Sequence, residues 1–99
     1  MTARLRMTVH VQAVPRLLLS DPDVERYGLE IAESAGMMPG TAYPILARLV
    51  SLGWVEDRWE EIDPHTARRP KRRFYKLTET GRTAAPAALA RARQPRLIT

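Results

Sequence analysis

The stretch from Tyr27 to Gly53, YGLEIAESAGMMPGTAYPILARLVSLG, decides the fold. Leu29, Ala32 and Ala35 recur at helical spacing and stop at Gly36, a residue suited to the left-handed position after a helix. A short helix over Tyr27–Ala35 follows. MMPG then makes a tight turn, and Thr41 is placed as the cap of a second helix that runs to Leu52 and is closed by Gly53. On a 3.6-residue wheel Ala42, Ile45, Leu46, Leu49 and Leu52 share one face, with Pro44, Ala47, Arg48 and Ser51 opposite and Tyr43 at the edge. One face is core and the other is open to a partner.

Upstream, Val9, Val11, Val14, Leu17 and Leu18 fit a helix over Thr8–Leu19 with Thr8 as cap, although Pro15 predicts a late start or a bend. Downstream, Trp54–Ile62 and Arg72–Leu77 read as paired strands around the polar loop DPHTARRP. Pairing Ile62 near Pro70 sets Glu60 against Arg72, Glu56 against Lys76 and Glu61 against Lys71, and opposite charges would help fix that register. Thr78 can cap a last helix from Glu79, which Gly81 and Pro86 weaken; AALARAR is its best material, and QPRLIT is expected to fray.

The order helix, helix, helix, strand, loop, strand, helix describes an α+β fold, mainly α with one small β-hairpin: a winged helix-turn-helix. Residues 1–78 are assigned to the winged-helix domain. Residues 79–99 form a short helical appendage and tail, a candidate dimerisation element.

Charge is unevenly placed: Met1–Asp63 holds 6 Lys/Arg against 10 Asp/Glu, whereas Pro64–Thr99 holds 10 against 1. Six cations crowd the segment Ala67–Leu77, ARRPKRRFYKL. A net charge of +5 and a pI near 10.4 point to a polyanionic partner. The chain has no cysteine, which excludes disulfides, thiolate metal sites and thiol catalysis. No run approaches the roughly 18 apolar residues of a membrane span, and no signal peptide fits. The expectation is a cytoplasmic protein.

In a winged helix the second helix of the pair enters the major groove by its N-terminal residues, and the hairpin loop reaches backbone or minor groove. At this level the residues resemble a family. Tyr27-Gly28, the Gly40-Thr41-x-Tyr43-Pro44-x-Leu46 opening of the third helix, Gly53, Trp59, and the Arg73–Thr78 run are similar to PadR-type bacterial transcriptional regulators, over about Leu17 to Arg82. The resemblance implies a homodimeric, repressor-type regulator on a two-fold symmetric operator in double-stranded DNA. Carried over residue by residue, recognition-helix contacts fall on Thr41, Tyr43, Pro44 and Arg48, and wing contacts on Arg68, Arg69, Lys71 and Arg72. The family usually dimerises through a long C-terminal helix. Only about 20 residues follow Thr78 here, so the mode of dimerisation and any pocket for a small-molecule effector stay open.

Each residue also has a purely structural role to weigh. Clustered cations at a loop tip repel one another and gain most from a polyanion, which favours phosphate contact for Arg68, Arg69, Lys71 and Arg72 over simple solvation. Arg73 shares strand parity with Tyr75 and Leu77 and is expected to pair within the fold. Tyr43 is expected to pack its ring while its hydroxyl reaches phosphate. Trp54 and Trp59 are assigned to core or strand packing, and Met37 and Met38 to core or turn packing. His10 and His65 lie far apart, and Asp63 with His65 offers too few ligands for a metal, so neither catalysis, a metal nor a cofactor is expected. The rival to DNA binding is a protein-protein interaction module whose basic hairpin docks an acidic partner.

Overall fold

The computed structural model describes residues 6–93. Helix α1 (Val9–Ser20) begins at Thr8, whose side chain accepts a hydrogen bond from the Val11 N–H at 3.3 Å. Pro15 stands inside α1 and has no N–H to give the Val11 carbonyl, yet the helix continues, because Pro15 is buried beside Val14 and Leu18. Tertiary packing holds a turn that local propensity disfavours.

After a loop come strand β1 (Arg26–Tyr27), helix α2 (Gly28–Ser34) and helix α3 (Pro39–Ser51). Both helices end in the same way. Gly36 and Gly53 adopt φ of +71° and +77°, and the next residue's N–H returns to the helix: Met37 to the Ala32 carbonyl at 2.9 Å, Trp54 to the Leu49 carbonyl at 3.0 Å. This is the Schellman arrangement, which satisfies carbonyls the helix end would otherwise leave open and which glycine enters without a Cβ penalty.

The start of α3 corrects one expectation. Its cap is Met38, with no side-chain cap bond, and Thr41 lies within the first turn. Pro39 explains the difference: its fixed φ and missing N–H suit the first helical position, and the Thr41 N–H closes the turn onto the Met38 carbonyl at 2.9 Å.

Strand β2 (Val55–Trp59), a one-turn helix α4 (Pro64–Ala67) and strand β3 (Arg73–Leu77) form the hairpin, and helix α5 (Glu79–Arg93) follows. The register is the expected one, with Val55 opposite Leu77, Glu56 opposite Lys76 and Trp59 opposite Arg73. The ladder stops at Trp59, short of Glu61 and Lys71. Two features are additions: α4 inside the loop, and β1, which pairs antiparallel with β3 so that the sheet has three strands in the order β1-β3-β2.

Val14 and Leu18 of α1, Ile31 of α2, Ile45, Leu46 and Leu49 of α3, and Val55, Tyr75 and Leu77 of the sheet make one core. Each large aliphatic side chain buried there contributes about 1.5–3 kcal/mol. Trp54 and Met37 pack against its edge.

Helix α5 runs on through Pro86, which faces outward, and buries Ala85, Ala88 and Leu89. Its cap is Thr78, whose Oγ1 accepts from the Gly81 N–H at 3.0 Å and donates to the Gly53 carbonyl, while the Thr78 N–H bonds the Trp54 carbonyl at 2.9 Å. Gly81 was legible only as a weak helix former; here it is a close approach. A Cβ at Gly81 would stand 2.0 Å from the Trp54 carbonyl oxygen. Arg82 ties α5 to the α1–β1 loop through Asp23 at 2.7 Å and the Pro22 carbonyl at 3.2 Å.

Candidate nucleic-acid interface

Helix α3 buries Ala42, Ile45, Leu46 and Leu49 and exposes Gly40, Thr41, Tyr43, Pro44, Ala47, Arg48 and Ser51. All four recognition-helix residues expected from the sequence, Thr41, Tyr43, Pro44 and Arg48, therefore lie on its exposed side. Tyr43 is 43% exposed, and its ring sits on Gly28: a Cβ there would be 2.4 Å from the Tyr43 ring. The first residue of α2 must be small because the ring from α3 occupies the space. Met38, expected in core or turn packing, is instead 75% exposed at the start of α3.

The wing is built by α4. Asp63 caps it, accepting from the His65 N–H and the Thr66 hydroxyl, both at 3.0 Å. Arg68 ends it in the left-handed conformation at φ 56° and is exposed, as are Lys71 and Arg72.

Arg69 differs from its neighbours. Its guanidinium forks onto the two oxygens of Glu60 at 2.7 and 2.9 Å, and Glu60 also accepts from the Arg72 N–H at 3.2 Å. Glu60 was expected to answer Arg72; its backbone does, at 2.8 Å to the Arg72 carbonyl, but its carboxylate holds Arg69. These bonds, the Arg69 one above all, pull the Glu60 carboxyl down to about 2.

Three arginines of the hairpin, Arg58, Arg72 and Arg73, lie over aromatic rings. Arg73 bonds Asp57 at 2.6 Å and lies 4.7 Å over the Trp59 ring, in keeping with its expected role within the fold. Arg72 lies 4.4 Å over the Tyr27 ring; Tyr27 meets Phe74 edge-on at 6.4 Å; and Arg58 lies 4.9 Å over Phe74 while bonding Glu25 at 2.6 Å. Of the two roles expected for Trp59, core or strand packing, the structure shows the second, against Arg73 across the hairpin. Trp59 is 56% exposed, since it stands at the last rung of β2 beyond the reach of the core, and Arg73 is its cover.

Between wing and helices lies an open cleft of about 690 Å³, walled by Tyr27, Tyr43, Trp59 and Tyr75 and rimmed by Lys71 and Arg72. Burial raises the Tyr75 hydroxyl pKa, so it is a neutral donor at physiological pH. Of the expected site residues, Tyr43, Arg69, Lys71 and Arg72 line this cleft, whereas Thr41, Pro44, Arg48 and Arg68 are not among its lining residues. The sequence did not reveal Tyr27 and Gly28 as lining it. The pair carried a signal only as part of the family resemblance.

The sequence profile described as the Transcriptional regulator PadR-like family matches residues 18–87. No curated protein matches the sequence. Among solved structures, the chain is similar to PadR of Bacillus subtilis in complex with operator DNA, at 22% identity and TM-score 0.69, over 97% of this chain and 54% of that one. A PadR-like transcription factor from Bacteroides fragilis matches at 25% identity and TM-score 0.63, over 83% and 78% of the two chains. A MarR family regulator from Neisseria meningitidis matches at 28% identity and TM-score 0.60, over 84% and 52%. The chain thus spans about half the length of the MarR-type and Bacillus subtilis structures. With the family profile covering most of its residues, the chain belongs to the PadR-like family of transcriptional regulators.

Proposed function

We propose that this protein binds a specific double-stranded operator as a homodimer in the cytoplasm and represses transcription by occluding the promoter. One observation carries the reading: Tyr43 on the exposed side of α3 and the exposed wing cations Lys71 and Arg72 line a single cleft. In this reading Thr41, Pro44 and Arg48 meet base edges, the Tyr43 hydroxyl reaches a phosphate, and the wing holds the backbone. Arg69 acts through Glu60, fixing the loop from which Arg68 and Lys71 project. Helix α5, continuous from Glu79 to Arg93, supplies the element for two-fold association.

The test is selection of bound duplexes from a random library, with solution mass measured alongside. An enriched inverted repeat and a dimeric mass are expected. Binding that competitor DNA abolishes without preference would favour the alternative, a module whose basic wing docks an acidic protein.

A further inference from the structure

The cleft between the wing and the helices holds chemistry that contact with a duplex does not use. Four rings, Tyr27, Tyr43, Trp59 and Tyr75, line it, and no Asp or Glu is among its lining residues. Even so, Trp59 is 56% and Tyr43 43% exposed. A duplex offers a protein its phosphates and base edges, while its ring faces are stacked on one another and out of reach. The aromatic wall is therefore surplus to operator binding, and an exposed apolar patch of this kind marks a binding surface.

The charge at the cleft falls into two pairs. Arg69 and Arg73, which also line it, are answered by Glu60 at 2.7 Å and Asp57 at 2.6 Å. Lys71 and Arg72, both exposed, form no ion pair among the described residues, and the Arg72 guanidinium lies over the face of Tyr27 at 4.4 Å. Two adjacent, uncompensated cations thus stand at the rim of an aromatic wall. An Arg fork donates to two oxygens of an anion and a Lys ammonium adds a point charge, a combination that suits a phosphate dianion. An aromatic carboxylate carries one charge and would leave one of the two cations unanswered. At about 690 Å³ the cleft has the size of a small-molecule site.

We propose that the cleft binds a free nucleoside monophosphate, its base stacked among Tyr43, Trp59 and Tyr75 and its phosphate held by Lys71 and Arg72. The site itself needs no operator. That its occupant competes with the duplex rests on the regulator reading above, because a wing whose Lys71 and Arg72 hold a free phosphate has lost those cations for the DNA backbone. The nucleotide then releases DNA by occupying the interface itself.

Calorimetric titration of the full chain with adenosine monophosphate, adenosine, ribose phosphate and benzoate tests both halves of the site. The monophosphate is expected to bind more tightly than each of the others, which lack the phosphate, the base or the second charge. Lys71→Ala alters an exposed side chain without an ion pair and so keeps the fold; it is expected to weaken the monophosphate about tenfold and leave adenosine unchanged. Trp59→Ala is expected to weaken both alike, by about 5- to 150-fold, the worth of stacking one base on one ring. In fluorescence anisotropy with the selected duplex, saturating monophosphate is expected to displace the protein, and ribose phosphate at the same concentration is not. Ribose phosphate or benzoate binding as tightly as the monophosphate, or no saturable binding of the monophosphate, overturns the inference and leaves the regulator reading standing. A duplex selection without sequence preference overturns the regulator reading and leaves the nucleotide site standing.

Discussion

Changing Arg68, Lys71 and Arg72 together to Ala separates the cations that face outward from the one that does not. If each neutralises one phosphate, removing the three lowers the magnitude of the log affinity against log salt slope by about 2.7 per wing, and by about 5.4 for two wings on one duplex. Between about 50 and 200 mM salt the native protein then loses about 40-fold more affinity per wing than the variant does. Arg69→Ala is the internal control. Its guanidinium is already forked onto Glu60, so the variant should bind more weakly through a loosened wing while the slope changes by less than about one. Fluorescence anisotropy of a labelled operator across that salt range reads both quantities. An unchanged slope in the triple variant, or a slope flattened as much by Arg69→Ala as by Lys71→Ala, refutes this division of labour.

Gly28→Ala should displace the Tyr43 ring, 2.4 Å from the new methyl, and weaken operator binding as much as Tyr43→Ala does; the double variant should be no weaker than either, as titration would show. Gly81→Ala sets a methyl 2.0 Å from the Trp54 carbonyl oxygen and should cost about 1–3 kcal/mol, seen as a lower Tm by circular dichroism. Gly40→Ala, with open space around the new methyl in the first turn of α3, should raise the Tm through a gain of about 0.5–1 kcal/mol. Because the Glu60 carboxyl is depressed from 4.5 to about 2 in the folded chain, its contribution to stability is complete above pH 4.5 and is lost as pH falls through 2. Carboxyl carbon shifts in an NMR titration should show Glu60 titrating near 2, and Arg69→Ala should return it toward the ordinary range.

Local signals carried most of the architecture. Gly36 and Gly53 mark helix ends because their left-handed backbone is a property of the residue itself, and Thr8 and Thr78 cap because a hydroxyl needs only the next turn. The β2–β3 register was readable from complementary charge. Features set by distant residues were hidden. Gly81 looks like a helix defect until Trp54 is placed against it, and Trp59 looks like core until it is seen on the wall of the open cleft, 56% exposed under Arg73. The two-residue strand β1 has no pattern of its own and exists only because β3 offers an edge. At the site, charge counting treated Arg69 like its neighbours, since nothing local shows that Glu60 claims it. The cap of α3 shifted from Thr41 to Met38 because Pro39 competes for the first helical position, a contest between two favourable residues only two apart.

The Thr78 junction has a mechanical meaning. Its hydroxyl is bonded at once to the residue that ends α3 and to the first turn of α5, and Gly81 lets the two backbones touch without a spacer. The C-terminal end of α3 and the N-terminal turn of α5 are thereby joined through one side chain and one close backbone contact. In a two-fold assembly joined through α5, the direction of that helix would act as a ruler, setting how far apart on the duplex the two copies of α3 can land.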